Sequence, residues 1–386
     1  MEFMKQKIWL GVAGAMTAIL LSSIFVPYWF AIEGVFTDIR LKLKSPATLS
    51  QKIKVFSVVQ NKIKEEGNSK KPFEYKSLYK KLIKQGAKAV AVYDTDDISK
   101  IEMEWLQESS PLKLVRSMEG TLEGEWIKTD LDNIALGEKN GFTKISSWVY
   151  FLSKKIIEWP VSITEYSAHA NVYSDVFGAP RKIPLWLESN EKLVPAFGFQ
   201  AWKQYLAPNV LEIEVLSSRV KLKGKSLNLS IPTDQNVMGV VEALQKIDMR
   251  LQSNLLKLNE AISKTDVIDK LVLVGVFNSE TREEEKIAFN YQIALANSLV
   301  QGSFLKEAHK STVHSLSLVL GLLAAALVNL KNRAKSYIVM VFQIATYLVI
   351  NILCFNAGLI LPTLTPILSI VLSVIAVGKF HPEQAI

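Results

Sequence analysis

The sequence predicts a mixed α/β domain with a mostly parallel sheet, carried on four transmembrane helices. Three uncharged stretches support the membrane part, running from Ile8 to Ile32, from Ser311 to Leu330 and from Ser336 to Gly378. A helix needs about 20 apolar residues to cross the hydrocarbon core of a bilayer. The first two stretches therefore allow one crossing each, and the third is long enough for two. Alternating strand and helix patterns between the first two stretches support the domain.

The uncharged stretches also set the predicted boundaries. The stretch FNAGLILP, from Phe355 to Pro362, supplies the turn that divides the third stretch. The first stretch is too long for the apolar region of a cleaved signal peptide, and no small-x-small cleavage site follows it near Glu33, which favours a retained anchor. We expect membrane helices at residues 8–30, 311–330, 336–355 and 359–378, and the α/β domain at residues 31–310.

Positive charges in the short flanking segments predict the orientation. Loops that carry Lys and Arg stay in the cytoplasm. We therefore expect the N-terminus (residues 1–7), the short loop (331–335) and the tail (379–386) on the cytoplasmic side, and the domain on the far side. The basic residues that support this are Lys5, Lys7, Lys331, Arg333, Lys335 and Lys379.

The domain begins with a strand, helix and strand. A strand is predicted at Lys52–Val59, and a second one runs into Asp94. Between them, apolar residues recur at helical spacing, and Gly86 lies where a helix commonly ends. These apolar residues are Tyr75, Leu78, Tyr79, Leu82 and Ile83. We expect the two strands to pair in parallel, with a right-handed crossover.

Three later segments complete the predicted domain. The continuous apolar run Leu271–Val276 is typical of a parallel strand that is buried on both faces. The segment Leu211–Ile231 alternates and turns twice, which indicates antiparallel strands. An amphipathic helix over Asn290–Leu305 leads towards the membrane.

Composition and motifs narrow the function classes. Basic and acidic residues are nearly balanced within the domain, which argues against a nucleic-acid partner. Cys354 is the single cysteine, so no intrachain disulfide can form. The sequence has no Gly-x-Ser-x-Gly elbow, phosphate-binding glycine loop or His-Glu-x-x-His pair. We expect no catalytic residues, no cofactor and no resident metal.

The strongest candidate ligand residues are acidic. Asp94, Asp96 and Asp97 follow a predicted parallel strand, at the edge where open α/β sheets bind ligands. A cationic ligand is one interpretation of the three carboxylates. A solvated acidic loop is the other, and it is favoured because the neighbouring strand ends in Gln60, without an acid.

Two further candidates lie in one polar stretch. His169 has no partner histidine or cysteine nearby, so a hydrogen-bonded structural role is favoured over a ligand role. Arg181 could bind an anion, or it could pair with Asp175 within a hairpin, and the pair is favoured.

Four stretches of the chain resemble a known family. They are FTDIRLKLKSP, YKKLIKQGAKAVAVYD, AHANVYSDVFGAPRKIPL, and DKLVLVGVFNSE followed by LANSLVQGSFL. Together they resemble the type-two CHASE domain, a bacterial extracytoplasmic sensor module followed by three membrane helices. The resemblance implies a multi-pass protein of the bacterial inner membrane whose domain faces the periplasm or the exterior. It also implies structural motif residues at Asp38, Arg40, Asn171, Asp175, Gly178 and Pro184, of which we expect Asp38 and Arg40 to anchor the base of the domain.

The chain also departs from the family pattern. Gln60 and Asn61 stand where the first strand of the family commonly ends in acids, and Gln292 stands where its last helix commonly has a histidine. The cytosolic output domain of the family has no counterpart in KFHPEQAI. We therefore expect a non-catalytic, stand-alone sensory or accessory subunit that relays its state to a partner membrane protein. A second copy of the chain, in a homo-oligomer, is a further candidate partner. The alternative is a structural subunit of a cell-envelope complex, which uses the domain as a docking scaffold.

Overall fold

A computed structural model gives the fold of the chain. It describes residues 2–44, 47–60, 75–94, 113–116, 155–159, 168, 172–174, 180–189, 192–206, 211–216, 219–224, 227–233, 238–239, 251–252, 262, 266–278, 283–328 and 333–380. The chain divides into two compact units. The helical unit comprises Met1–Ser45, Ser174–Arg181 and Leu305–Ile386, and the sheet unit comprises Pro46–Tyr173 and Lys182–Phe304.

The helical unit contains long apolar helices. Its helices are α1 (Glu2–Ile24), α2 (Val26–Leu43), α6 (Lys310–Leu327), α7 (Arg333–Asn356) and α8 (Leu364–Phe380). Among the described residues, three segments are long and apolar enough to cross a membrane, namely Met4–Ile24 in α1, Lys310–Leu327 in α6 and Ala334–Asn356 in α7. The apolar part of α8, Leu364–Lys379, is shorter. The predicted fourth helix was expected to begin at residue 359, but Leu359–Ile360 form a short strand and α8 begins after it.

Small residues bring α1, α6 and α8 into close contact. A Cβ atom on Gly11 would lie 2.5 Å from the Cβ of Ala325, and one on Gly14 would lie 2.6 Å from the backbone nitrogen of Ser373. The hydroxyl of Ser373 donates to the carbonyl of Gly11 over 3.0 Å. Helices that pack in an apolar solvent use such small side chains, because the backbones can then approach closely.

A lysine joins two helix ends of this unit. The ammonium of Lys7, near the start of α1, donates to the carbonyl oxygen of Val328 over 2.7 Å. Val328 follows the last residue of α6, where the helix dipole favours a positive charge. The beginning of α1 and the end of α6 therefore lie on the same side of the helical unit.

The sheet unit is built around five parallel strands in the order β13-β1-β14-β2-β3. The first two strands of the domain, β1 and β2, do not pair with each other, because β14 lies between them and pairs with both. β14 is buried on both faces from Leu271 to Phe277, as its apolar run predicts, which suits the centre of the sheet. The strands are β1 (Ile53–Gln60), β2 (Ala89–Asp94), β3 (Lys113–Arg116), β13 (Leu251–Gln252) and β14 (Leu271–Asn278).

Helices cover both faces of this sheet. Leu78, Tyr79 and Leu82 of α3 (Tyr75–Lys84) pack on one face. On the other face, α4 (Phe197–Leu206) and α5 (Glu283–Gln301) surround Tyr93, whose ring centroid lies 4.9 Å from that of Phe289. The predicted end of α3 is confirmed, since Gly86 follows it with a φ of 91°.

Antiparallel pairs join most of the remaining strands. The predicted antiparallel segment is confirmed as β9 (Leu211–Leu216), β10 (Arg219–Gly224) and β11 (Leu227–Pro232), in a sheet with β4 (Lys155–Trp159). β7 (Trp186–Ser189) pairs with β8 (Lys192–Pro195). β6 (Pro180–Pro184) pairs with β12 (Met238–Gly239), and the other short strands are β5 (Tyr173–Ser174), β15 (Lys306–Glu307) and β16 (Leu359–Ile360).

The helix that leads out of the sheet unit ends earlier than its pattern predicts. α5 stops at Gln301 instead of Leu305. Gly302 follows it with a φ of 68°, and the backbone N–H of Ser303 donates to the carbonyl of Ser298 over 3.1 Å. This bond satisfies a carbonyl in the last turn, and a glycine in the left-handed region makes it possible.

Replacing Gly198 by alanine should destabilise the sheet unit. The new Cβ atom would lie 2.2 Å from the carbonyl oxygen of Gln292 and 2.9 Å from the nitrogen of Ala296, both of which are backbone atoms of α5. Overpacking of this kind costs about 1–3 kcal/mol. Thermal unfolding of the full chain in detergent should show a lower midpoint.

The helical glycine Gly378 supplies the control, because a Cβ atom there would meet nothing within 4 Å. Gly378→Ala should leave the midpoint unchanged or raise it, since alanine favours a helix over glycine by about 0.8–1.0 kcal/mol. Equal midpoints for the two variants would contradict the close packing of α4 on α5.

Candidate functional site

The candidate site is a buried polar network between α2, α7 and the turn that joins α7 to α8. Trp29, Glu33 and Arg40 lie on α2 at spacings of four and seven residues, which brings them to one side of the helix. Tyr347 and Asn351 lie one turn apart on α7. We call these five residues the turn clamp, because all of them bind backbone or hydroxyl groups in residues 361–365.

Glu33 provides the start of α8 with a hydrogen-bonding partner from another helix. Its carboxylate accepts from the backbone N–H of Thr363 over 2.8 Å and from that of Leu364 over 2.5 Å. A helix N-terminus leaves such donors without partners and carries a partial positive charge, so a carboxylate stabilises it. Burial raises the pKa of Glu33 above its usual value, while the amide hydrogen bonds and Arg40 act in the opposite direction.

Arg40 joins α2 to the end of α7 and to the turn. Its Nη1 donates to the Oδ1 of Asn351 and, over 2.7 Å, to the carbonyl oxygen of Leu361. Its Nη2 donates to the hydroxyl of Thr37 over 3.0 Å, and its guanidinium carbon lies 5.3 Å from the ring centroid of Phe355. The side chain is buried, so these contacts replace the water that a guanidinium would otherwise bind.

The other clamp residues complete the contacts with the turn. The Nδ2 of Asn351 donates to the carbonyl of Leu361 over 3.1 Å, and the hydroxyl of Tyr347 donates to the carbonyl of Pro362. The indole Nε1 of Trp29 donates to the hydroxyl of Thr365 over 2.9 Å. Two helices that are far apart in sequence therefore hold the same five-residue segment.

A short parallel strand pair joins the same turn to the chain that leaves the sheet unit. β15 pairs with β16, with Lys306 opposite Leu359. The backbone N–H of Lys306 donates to the carbonyl of Gly358 over 2.8 Å, and that of Ala308 donates to the carbonyl of Ile360 over 2.9 Å. The segments before and after the sheet unit, α2 and β15, thus both bind the α7–α8 turn.

The contacts of the turn clamp favour a structural role that connects helices over a role in ligand or metal binding. The charged groups of Glu33 and Arg40 are each occupied by groups of the turn. Within the described part of the chain, no group of three or more His, Cys, Asp or Glu side chains could hold a metal ion. What the arrangement can do is couple the position of α2 to that of the α7–α8 turn.

The structure describes some of the predicted motif and ligand residues. Arg40 belongs to the turn clamp, where it binds α7 and the α7–α8 turn of the helical unit. Asp38 lies on α2 and is half-buried. Pro184 lies in β6, opposite Met238. Arg181 lies in the same strand, but its side chain is not among the described ones.

The predicted ligand residues lie largely outside the described part of the chain. Asp94 is the last residue of β2, opposite Arg116 of β3, and its side chain is not described. Outside the described residues lie Asp96, Asp97, His169, Asn171, Asp175 and Gly178. Their interpretation as ligand or structural residues stays a prediction.

Sequence reasoning missed most of the turn clamp. The sequence pattern points to Arg40 through a motif, whereas Glu33 only marks the end of an uncharged stretch. Asn351 carried a usable signal, because a polar amide within a long apolar helix is normally paired. Gln292, which departs from the family pattern, is fully buried, and its Oε1 accepts from the backbone N–H of Gly198 over 3.0 Å.

Comparison of the chain with protein-family models, with curated proteins and with solved structures finds no match. The resemblance to the type-two CHASE domain therefore depends on the motif residues of the sequence alone and stays a prediction.

Replacing Arg40 by alanine should destabilise the helical unit. The Oδ1 of Asn351 would lose its donor inside a buried network. An unsatisfied buried acceptor costs about 1–3 kcal/mol. The thermal unfolding midpoint in detergent should fall, and Arg40→Lys should recover only part of the loss, because an ammonium cannot reproduce the planar fork of donors.

Lys42→Ala is the matched control, since Lys42 is an exposed cation on the same helix. It should leave the midpoint within error of the parent. The double variant Arg40→Ala/Asn351→Ala should lose less than the sum of the two single variants, with a coupling energy of about 0.5–3 kcal/mol. Strict additivity would show that the two side chains do not act together.

Proposed function

We propose that the protein is a non-catalytic membrane subunit whose exported sheet unit acts as a sensory or accessory module. It passes the state of that unit through α7 and α8 to a partner membrane protein. The observation that carries the proposal is the convergence of both flanking segments on one turn. α2 binds residues 361–365 through the turn clamp, and β15 binds Leu359 and Ile360 through strand pairing.

This convergence gives a physical route for a relay. A displacement of α2 or β15 changes the position of the α7–α8 turn, because hydrogen bonds connect both of them to the turn, and those of Arg40 are buried. Packed helices at such junctions typically shift by about 1–2 Å between two states. α7 is the helix best suited to report the shift, because Phe342 and Leu353 on it are exposed and available to a partner within the bilayer.

We also propose that four helices cross the bacterial inner membrane and that the sheet unit faces the periplasm or the exterior. The bond between Lys7 and Val328 supports a common side for the N-terminus and the loop after α6. α8 is about 26 Å long at 1.5 Å per residue, and the extended residues before it add length, which together suit a core of about 30 Å. The basic residues of the three short segments support the cytoplasmic side for them.

Reporter fusions test this topology. A reporter that is active only outside the cytoplasm should be active when fused after residue 250 and inactive when fused at Ile386. A reporter that needs the cytoplasm should give the opposite result. Activity outside at Ile386 would remove the fourth crossing, and cytoplasmic activity after residue 250 would overturn the exported sheet unit.

A docking scaffold is the second candidate, and one observation favours it. Gln292 stands where the family commonly has a histidine, but it is fully buried, and its Oε1 accepts from the backbone N–H of Gly198 where α5 contacts α4. A position committed to the core does not line a ligand pocket. If the protein is a docking scaffold, the sheet unit binds a protein of the cell envelope. The turn clamp then stabilises the helical unit without relaying a change.

Locking the strand pair separates the two candidates. In a Cys354→Ala background, Lys306→Cys and Leu359→Cys place two thiols on directly opposed residues. Opposed residues of adjacent strands are about 5 Å apart, within the range that a disulfide spans. A photo-crosslinking residue at Phe342, which is 71% exposed, then reports the contact with the partner in intact cells.

A relay predicts that oxidation of the cysteine pair changes the crosslinking yield by about fivefold, the lower end of usual coupling between sites. Reduction should restore the original yield, and each single-cysteine variant should be insensitive to oxidant. An unchanged yield in the locked protein would show that no movement of the strand pair is needed, which favours the scaffold.

A further inference from the structure

α2 carries a continuous apolar stripe on its exposed side. The stripe runs the whole length of the helix at steps of three or four residues. Its members are Tyr28, Ile32, Val35, Ile39 and Leu43, which are 62%, 39%, 47%, 48% and 66% exposed. Such a row of large apolar side chains in water is unfavourable, so a lipid or protein surface has to cover it.

The stripe and the turn clamp lie on different sides of α2. At 3.6 residues per turn, the centre of the stripe is about 100–120° around the helix from Glu33 and Arg40. The clamp therefore fixes the rotation of α2, and the stripe faces away from the α7–α8 turn. A single helix thus has one side bound to the helical unit and another side open and apolar.

The bonding partners of α2 define its depth. Asn351, which binds Arg40, lies about 27 Å along α7 from Arg333 at 1.5 Å per residue. Thr365, which binds Trp29, is in the first turn of α8. Both partners lie near the helix ends that meet at the α7–α8 turn. The hydrogen bonds therefore keep α2 at the same depth as these helix ends. A straight continuation of α1 would instead place the end of α2 about 27 Å beyond Ile24.

The stripe also continues a row of exposed side chains on α1. Leu20 and Ile24 are each 60% exposed, and they precede Tyr28 and Ile32 at steps of four residues. Leu20 and Ile24 lie in a segment that is long and apolar enough to cross a membrane, where lipid chains cover exposed side chains. The exposed side chains are large and apolar both in this row and in the stripe on α2.

We propose that α2 is an interfacial helix whose stripe contacts lipid at the outer boundary of the hydrocarbon core. This inference rests on the membrane placement in the proposed function. A helix of this kind buries its apolar side about 5–10 Å into the boundary of headgroups and acyl chains. Tyr28 suits the headgroup level, and the exposed Lys42 can extend its ammonium to the lipid phosphates.

Lipid fits the stripe better than a second copy of the chain. A second copy that covered the stripe would also have to displace lipid from the row on α1, because Ile24 and Tyr28 are only four residues apart. Lipid covers both without any further contact. The lipid contact also gives the relay an environmental input, since the depth of α2 depends on bilayer thickness and headgroup packing.

Spin labels on the full chain in lipid nanodiscs test the proposal. In a Cys354→Ala background, nitroxides are attached to single cysteines at Val35 and Ile39 of the stripe. Val341 of α7, which is 61% exposed, serves as the lipid reference, and the exposed Asn228 of β11 serves as the water reference. Power saturation compares collisions with oxygen, which concentrates in lipid, and with a water-soluble nickel complex.

The expected result is an oxygen-to-nickel ratio at Val35 and Ile39 several-fold above that at Asn228 and below that at Val341. Labels that prefer nickel would show a stripe in water and overturn the inference. Labels shielded from both reagents, or dipolar coupling between labels on two copies, would show that protein covers the stripe and would overturn it too. A nickel-rich Val341 would instead remove the membrane placement of α7 and with it the proposed function.

Discussion

The buried charges of α2 constrain the whole helical unit. Glu33 and Arg40 cannot stay in a protein interior or near a bilayer without partners, because the desolvation of a charge costs several kcal/mol. Their partners are backbone groups of the α7–α8 turn and the amide of Asn351. The turn therefore has to remain at α2, and the ends of α7 and α8 follow it.

The sheet unit obeys a simpler constraint. β14 is apolar and buried from Leu271 to Phe277, which suits its place at the centre of the parallel sheet with β1 and β2 on its flanks. Gly275 of this strand leaves room for aromatic rings, since a Cβ atom there would lie 2.7 Å from Phe289 and 2.8 Å from Phe277. The sheet unit is held together by close packing, whereas the end of the helical unit is held together by hydrogen bonds.

Local patterns in the sequence predicted the elements well and their neighbours poorly. The uncharged stretches, the helix that ends before Gly86 and the apolar run of β14 each depend on residues close together in the chain. The insertion of β14 between β1 and β2 could not be read from the first strand, helix and strand, because the inserted strand comes much later. The turn clamp could not be predicted for the same reason, since Glu33 and Asn351 are each isolated in the sequence while their partners lie on distant segments.

The partnership of Glu33 with the start of α8 has a consequence for biogenesis. The carboxylate is made with the first helices of the chain, and the amides that it binds come 330 residues later. Both segments that flank the sheet unit, α2 and β15, are therefore synthesised before α8. Contacts of such separation form late, since long loops must close first. Until α8 is made, the charges of Glu33 and Arg40 must be kept hydrated or shielded, so the turn clamp closes only at the end of synthesis.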